Sequence, residues 1–236
     1  MQNDQKPLVG AILIAGAMIA GAILLRGSSA PATPIPSLNG VPATAVTPVS
    51  EEDMVLGNPK AEVTLILYED FQCPWCGKFH NEAEKEVREK YIPKGSVRFV
   101  FRDFAFLGTF VEPYDKARDE SINAAEAALC AAEQDKFWEY HDYLFEHQNG
   151  ENEGNFANGN LKAFAKNLGL DSTAFDTCLD SDKYAAAVEN SRTQASPYGV
   201  RGTPNGFILK NGKIVDTIEG YLPAAALTTK IENALR

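Results

Sequence analysis

Basic residues are scarce in this chain of 236: 22 Lys and Arg stand against 32 Asp and Glu, a formal net charge of −10. Phosphate backbones are held by clustered Lys and Arg, so the balance argues against nucleic acid as a partner. Histidine numbers only three and cysteine four. Two of the cysteines form one C-x-x-C, Cys73 and Cys76, and no second C-x-x-C or H-x-x-x-H completes the four-ligand site of structural zinc. No internal repeat is present. With 44% apolar, 10% aromatic and 23% charged residues, the chain reads as globular, one core with an elaboration.

Charge is missing altogether from Leu8 to Leu25 (LVGAILIAGAMIAGAILL). As a helix these residues span about 27 Å, close to hydrocarbon thickness. They predict a transmembrane signal anchor over 8–25, behind a short cytoplasmic tail at 1–7. A cleaved signal peptide is the rival, since Ser28-Ser29-Ala30 resembles a small-residue cleavage site. Against it, Pro31 follows at once and the apolar run is longer than a typical signal core. No cysteine stands directly after the segment, which argues against a lipid anchor. Residues 26–50 read as a linker: from Gly27 onward they hold five prolines, no charge and no hydrophobic period.

The body opens with a turn on Gly57, Asn58 and Pro59, then Val63–Tyr68 (VTLILY), which predicts a strand buried on both faces. The C-x-x-C stands at its carboxyl end. From Cys76 to Tyr91, Phe79, Ala83 and Val87 recur at steps of four as one helical face. Ser96–Phe104 alternates as a second strand, completing a βαβ unit. From about Tyr114 to Ser196 the pattern is helical in pieces, interrupted by QNGENEGNFANGN, which predicts a surface loop. A strand at Gly206–Lys210, the turn Asn211-Gly212 and KIVDTIEG make a hairpin, and AAALTTKIENALR closes the chain as a helix.

This order resembles the DsbA family of extracytoplasmic thiol-disulfide oxidoreductases, in its membrane-anchored, Gram-positive-type branch. The motifs that carry the resemblance are DFQCPWC after the first strand, RGTP before the hairpin, and AAEAALCAAEQDKFWEYHDYLFEHQ in the insertion. It covers about residues 51–236 and implies an α/β, thioredoxin-like fold with an inserted α-helical domain at about 112–196, behind the transmembrane helix and linker. It implies no cofactor and no metal.

Disulfide exchange needs a thiolate to attack and a second thiol to resolve the mixed disulfide. Cys73, at the helix start, is the expected nucleophile, its thiolate favoured by unpaired N–H groups and the helix dipole. Cys76 is the expected buried resolving thiol, and Pro74 suits the first helical turn. Trp75 stands where strongly oxidising relatives carry histidine, so Cys73 is expected to be less acidic. Many relatives keep a buried carboxylate six residues before the first cysteine, and here that position is Leu67. Glu69 and Asp70 read as solvated residues at a strand end. Thr203 and Pro204 match the family's cis-proline loop, which faces the dicysteine and leaves backbone free to pair with a peptide. Asn205 departs from a common Thr, with no assigned consequence.

In an extracytoplasmic domain four cysteines suggest two disulfides. Cys130 and Cys178 therefore read as a structural pair worth roughly 4 kcal/mol on loop entropy, with two buried free thiols as the alternative. His80 reads as a surface or capping residue, and Phe137, Trp138 and Tyr140 as core of the insertion. The implied function is oxidation of cysteine thiols in exported polypeptides by the Cys73–Cys76 disulfide. A quinone-linked membrane partner, DsbB-like or vitamin K epoxide reductase-like, would restore it. A reductase or isomerase of the same fold is the alternative, prompted by Trp75, Leu67 and Thr203, although the sequence lacks an isomerase-type dimerisation domain. Other classes are a metal-binding module on Cys73 and Cys76, which His80 alone does not complete, and a peptide-holding module.

Overall fold

The computed structural model describes residues 46–115 and 118–236. The expected membrane segment and most of the linker lie outside the described residues. Among those described, no helix is long and apolar enough to cross a membrane.

Five strands form one sheet in the order β1-β3-β2-β4-β5. They are β1 (Met54–Gly57), β2 (Val63–Glu69), β3 (Val97–Asp103), β4 (Asn205–Lys210) and β5 (Lys213–Glu219). Central β2 pairs parallel with β3, Leu65 opposite Phe99, and antiparallel with β4, Leu65 opposite Ile208. All of β2 is buried, as its unbroken apolar run requires. The sequence gives no sign of β1, because MVLG is too short to show alternation; it pairs antiparallel with β3 at the sheet edge. Between β4 and β5, Asn211 and Gly212 both take positive φ, 50° and 77°, the two-residue turn whose twist suits a hairpin.

The helix after β2 begins at Pro74, two residues before its apolar pattern, and has three parts. These are α1 (Pro74–Phe79), a π-helical turn (His80–Glu84) and α2 (Lys85–Tyr91). The insertion supplies α3 (Glu120–Ala132), α4 (Phe137–Glu146), α5 (Asn158–Asn167), α6 (Ser172–Asp180) and α7 (Ala185–Ala195). Helix α8 (Ala224–Leu235) returns to the sheet.

Alternation along β2 separates two cores. Val63, Leu65 and Leu67 face the larger, with Phe99, Phe101, Phe79, Cys76 and the insertion helices. Ile66 and Tyr68 face the smaller, with Val100, Phe207 and Leu209. Val46 and Val49 pack on the smaller core, and Arg102 binds the carbonyls of Thr47 and Pro48 and the Asp53 carboxylate. The packed body thus already includes residues 46–50, whose two valines a proline-rich composition conceals.

Within the insertion, α3 buries Ala124, Ala125, Ala127, Ala128 and Ala131, small side chains that let neighbouring helices approach closely. Asp119 caps it by accepting from the Ile122 N–H at 3.1 Å. Cys130 of α3 is bonded to Cys178 of α6, with an S–S distance of 2.03 Å. Phe137 and Tyr140 are core, and Trp138 packs its ring 5.3 Å from that of Phe99.

Candidate active site

Cys73 and Cys76 bracket the start of α1 at the carboxyl end of β2, neither of them bonded. Cys73 is the N-cap, in extended conformation. Its carbonyl accepts from the N–H groups of Cys76 at 3.0 Å and Gly77 at 3.1 Å. Pro74 follows at the first helical position, where an N–H has no intrahelical partner. The Thr203–Pro204 bond is cis, and the Cys73 thiol donates to the Thr203 carbonyl at 3.5 Å. Cys73 keeps 5% of its surface exposed and Cys76 none.

These surroundings split the two thiols. A hydrogen bond from the Cys76 thiol, helped by the Thr203 side chain and the N–H groups of Cys76 and Trp75, outweighs burial and lowers Cys73 to about 7. Burial, the bond to Cys73 and the nearby Glu69 raise Cys76 well above the ordinary thiol range.

Both acids at the end of β2 are buried, so the expectation of solvated side chains fails for each. Glu69 follows Leu65 and Leu67 in the row facing the larger core, on the side of Cys76. Leu67 itself is apolar core; the buried acid stands one pleat later. Neither Glu69 carboxylate oxygen has a hydrogen-bond partner among the described residues. Burial, then the charges of Glu84 and Cys73, raise its pKa well above the normal carboxylate range. Glu69 accordingly favours its protonated form. Asp70 is a staple instead. It accepts from the N–H groups of Gln72 (2.9 Å), Phe106 (2.8 Å) and Leu107 (3.1 Å) and from the Ser121 hydroxyl (2.9 Å).

The amide-rich run expected as a surface loop docks against this site. Gln148 donates through Nε2 to the carbonyls of Phe71 (2.6 Å) and Cys73 (3.0 Å). Gln72 donates to Asn152 Oδ1 at 3.1 Å and accepts from the Asn152 N–H at 2.6 Å. Gly77 leaves room for this contact, since a Cβ there would stand 2.0 Å from Gln148 Oε1. The only sequence signal was the amide density of QNGENEGN, which says nothing of where the loop lands.

His80 is not at the surface. The π turn buries His80, Ala83 and Glu84 next to Phe79 of α1, so the inward face takes in His80, which lies outside the Phe79–Ala83–Val87 stripe. At the rim, Trp75 is 57% exposed, its ring 5.9 Å from that of Tyr221, with Lys78 Nζ 4.5 Å from the Tyr221 ring. Asn205 begins β4, opposite Tyr68 and Glu219.

A dithiol at a strand-to-helix junction, facing a cis-proline loop across a mixed five-stranded sheet, defines a thioredoxin-fold redox protein. A family model described as thioredoxin matches residues 49–225. Disulfide bond formation protein D of Bacillus subtilis is 25% identical over 183 residues, 77% of this chain and 78% of that protein. Alpha-DsbA1 of Wolbachia pipientis superposes with a TM-score of 0.68 at 25% identity, over 82% of this chain and 95% of the other. BdbD of Bacillus subtilis, oxidised, gives 0.66 at 25% identity, over 78% and 92%. The chain belongs to the thioredoxin family, in its DsbA-like group. Two Salinispora proteins named as Na(+)/H(+) antiporters NhaA match at 37% and 35% identity over 69% of this chain. The chain spans about a fifth of their length, 22% of each.

Proposed function

We propose that the protein is an extracytoplasmic dithiol oxidase that donates the Cys73–Cys76 disulfide to exported polypeptides. The observation that carries this reading is the placing of the dithiol: Cys73 caps α1 against the cis Thr203–Pro204 loop, and Cys76 is sealed behind it with no exposed surface. In the oxidised protein a substrate thiolate attacks Cys73 Sγ, the S–S bond breaks, and Cys76 leaves with the electron pair. Glu69 gives that thiolate a proton. The second substrate thiolate then attacks the substrate sulfur of the mixed disulfide and expels Cys73, a good leaving group because its pKa is low. Two electrons enter the protein and one substrate disulfide forms.

The backbone before Pro204 pairs with the extended substrate, and the shelf of Trp75, Tyr221 and Lys78 receives a flanking side chain. The Cys130–Cys178 bond is structural and takes no part. The segment 8–25 anchors the protein to the membrane, where a quinone-linked partner, DsbB-like or vitamin K epoxide reductase-like, reoxidises it.

The oxidised protein should introduce disulfides into a reduced, unfolded ribonuclease, and Cys73→Ala should not; full activity in that variant would overturn the reading. Trp75 supports a second reading, reduction, because an indole lends the Cys73 thiolate no charge. Equilibration with glutathione separates the two: a potential near −120 mV fits an oxidase and one near about −270 mV a reductase.

A further inference from the structure

Behind α1 lies a second set of chemistry-bearing side chains that the dithiol chemistry leaves unused. The π turn supplies His80 and Glu84, and α4 supplies His141 and Asp142. One ligand atom from each can lie within 4.8 Å of all the others. His80, Glu84 and His141 are fully buried, whereas Asp142 is 32% exposed, giving the cluster one edge on solvent. Single π turns are frequent at functional sites.

Four of the candidate ligand atoms are left without hydrogen bonds among the described residues. Neither nitrogen of His80 has a hydrogen-bond partner among the described residues, and Glu84 Oε2 and His141 Nε2 have none. Native interiors avoid such groups unless something binds them. The separations suit a small ion. His80 Nδ1 lies 3.3 Å from Glu84 Oε2, and the hydrogen bond of His141 Nδ1 to Asp142 Oδ1 at 2.9 Å leaves His141 Nε2 open. Ligands about 2.0 Å from a tetrahedral ion stand about 3.3 Å apart.

Arg88 is the competing cation. Its Nη1 donates to Glu84 Oε1 at 2.9 Å and to Asp142 Oδ1 at 2.6 Å, and its Nη2 to Asp142 Oδ2 at 3.1 Å. One guanidinium offsets one of the two carboxylates, and Glu84 Oε2 faces only the His80 ring, 3.3 Å from Nδ1. A proton on one imidazole or a bound cation would balance the other carboxylate. We propose that His80, Glu84, His141 and Asp142 bind a divalent first-row metal ion, with zinc the best match to two imidazoles and two carboxylates. Arg88 would keep its bonds to Glu84 Oε1 and Asp142 Oδ2 and give up Asp142 Oδ1 to the ion. The ion would tie the helix that carries the dithiol to α4, and its binding does not depend on the direction of disulfide exchange.

The test uses the full-length chain with Cys73→Ser and Cys76→Ser, so that the dithiol cannot hold the ion. After chelator treatment, cobalt(II) should give a visible ligand-field band saturating at one equivalent, and one equivalent of zinc should displace it. His80→Gln and His141→Gln should lose the band while keeping their far-UV circular dichroism, and Asp142→Asn should weaken zinc binding roughly 10- to 100-fold. If those variants do not fold, equilibrium dialysis of the parent against zinc still decides. Absence of a saturable equivalent, as expected if an imidazolium balances the charge, overturns the proposal. So does binding unchanged in folded His141→Gln. The ribonuclease assay on the wild-type dithiol fails or succeeds independently of this result.

Discussion

The chain's four cysteines form two pairs in opposite surroundings. Cys130 and Cys178 come from separate helices, 48 residues apart, and are joined inside the larger core. Cys73 and Cys76 are separated by two residues at a helix start, between a cis-proline loop and a buried carboxyl. The distant pair closes a long loop and so constrains the unfolded chain. The near pair closes a short one and has little to contribute that way. What it has is an acidity difference, with one thiolate stabilised near neutral pH at the rim and one thiol sealed. Loop length separates the crosslink from its entropy, and the local electrostatics separate crosslink from exchange.

Exchanging the losses tests this contrast most severely. Cys73→Ser should abolish ribonuclease oxidation and, at pH 6, leave the denaturant midpoint of the reduced protein nearly unmoved. The pair Cys130→Ser and Cys178→Ser should keep the oxidation rate and lose about 4 kcal/mol in denaturant unfolding. A folded double variant without activity would erase the distinction between the pairs.

Removing the buried acid comes next. Glu69→Gln leaves a neutral side chain of similar volume but no proton to give to Cys76. Its reaction with reduced substrate should slow roughly tenfold to a hundredfold at pH 7, as stopped-flow fluorescence would show. Unfolding of the Cys130–Cys178 region under reductant should be unaffected. An unchanged rate would remove Glu69 from the chemistry.

Acidity gives a smaller effect with a definite sign. Alkylation of Cys73 in the reduced protein should rise with an inflection near pH 7, while Cys76 stays unreactive across the neutral range. The folded pKa of Cys73 is depressed below the unfolded value of about 8.5. The thiolate therefore adds stability that is fully present above the unfolded pKa and is lost as pH falls through about 7. Reduced wild type measured against Cys73→Ser by denaturant melts should show that gain between pH 6 and 9.

Much of this contrast is legible in the sequence. DFQCPWC after an apolar strand, RGTP before a hairpin and the order of elements point to the fold and to the dithiol, because spacing and period are local properties. The third dimension of the polar residues is not legible. Glu69 and Asp70 look alike at a strand end, yet one row faces the dithiol core and the other collects N–H groups from residues 36 and 37 positions away. His80 is misjudged because a π turn, with no signature in FHNEAE, brings it onto the buried face with Glu84. Gln148 and Asn152 sit in a run whose composition says loop and cannot say where the loop docks.

The smallest expected effect probes that docking directly. Gln148→Ala removes two donations to the carbonyls of Phe71 and Cys73, for a loss of about 1–2 kcal/mol in denaturant unfolding. Gly77→Ala should act on the same bonds from the other side, since its new methyl would meet Gln148 Oε1 at 2.0 Å and displace the amide. The two losses should not add: in the Gln148→Ala background, Gly77→Ala should cost much less than it does alone. Additive losses would mean that Gln148 merely lies beside the dithiol loop. Strong coupling would mean that the insertion holds the exchanging pair in place through one amide, as it holds its own helices through Cys130–Cys178.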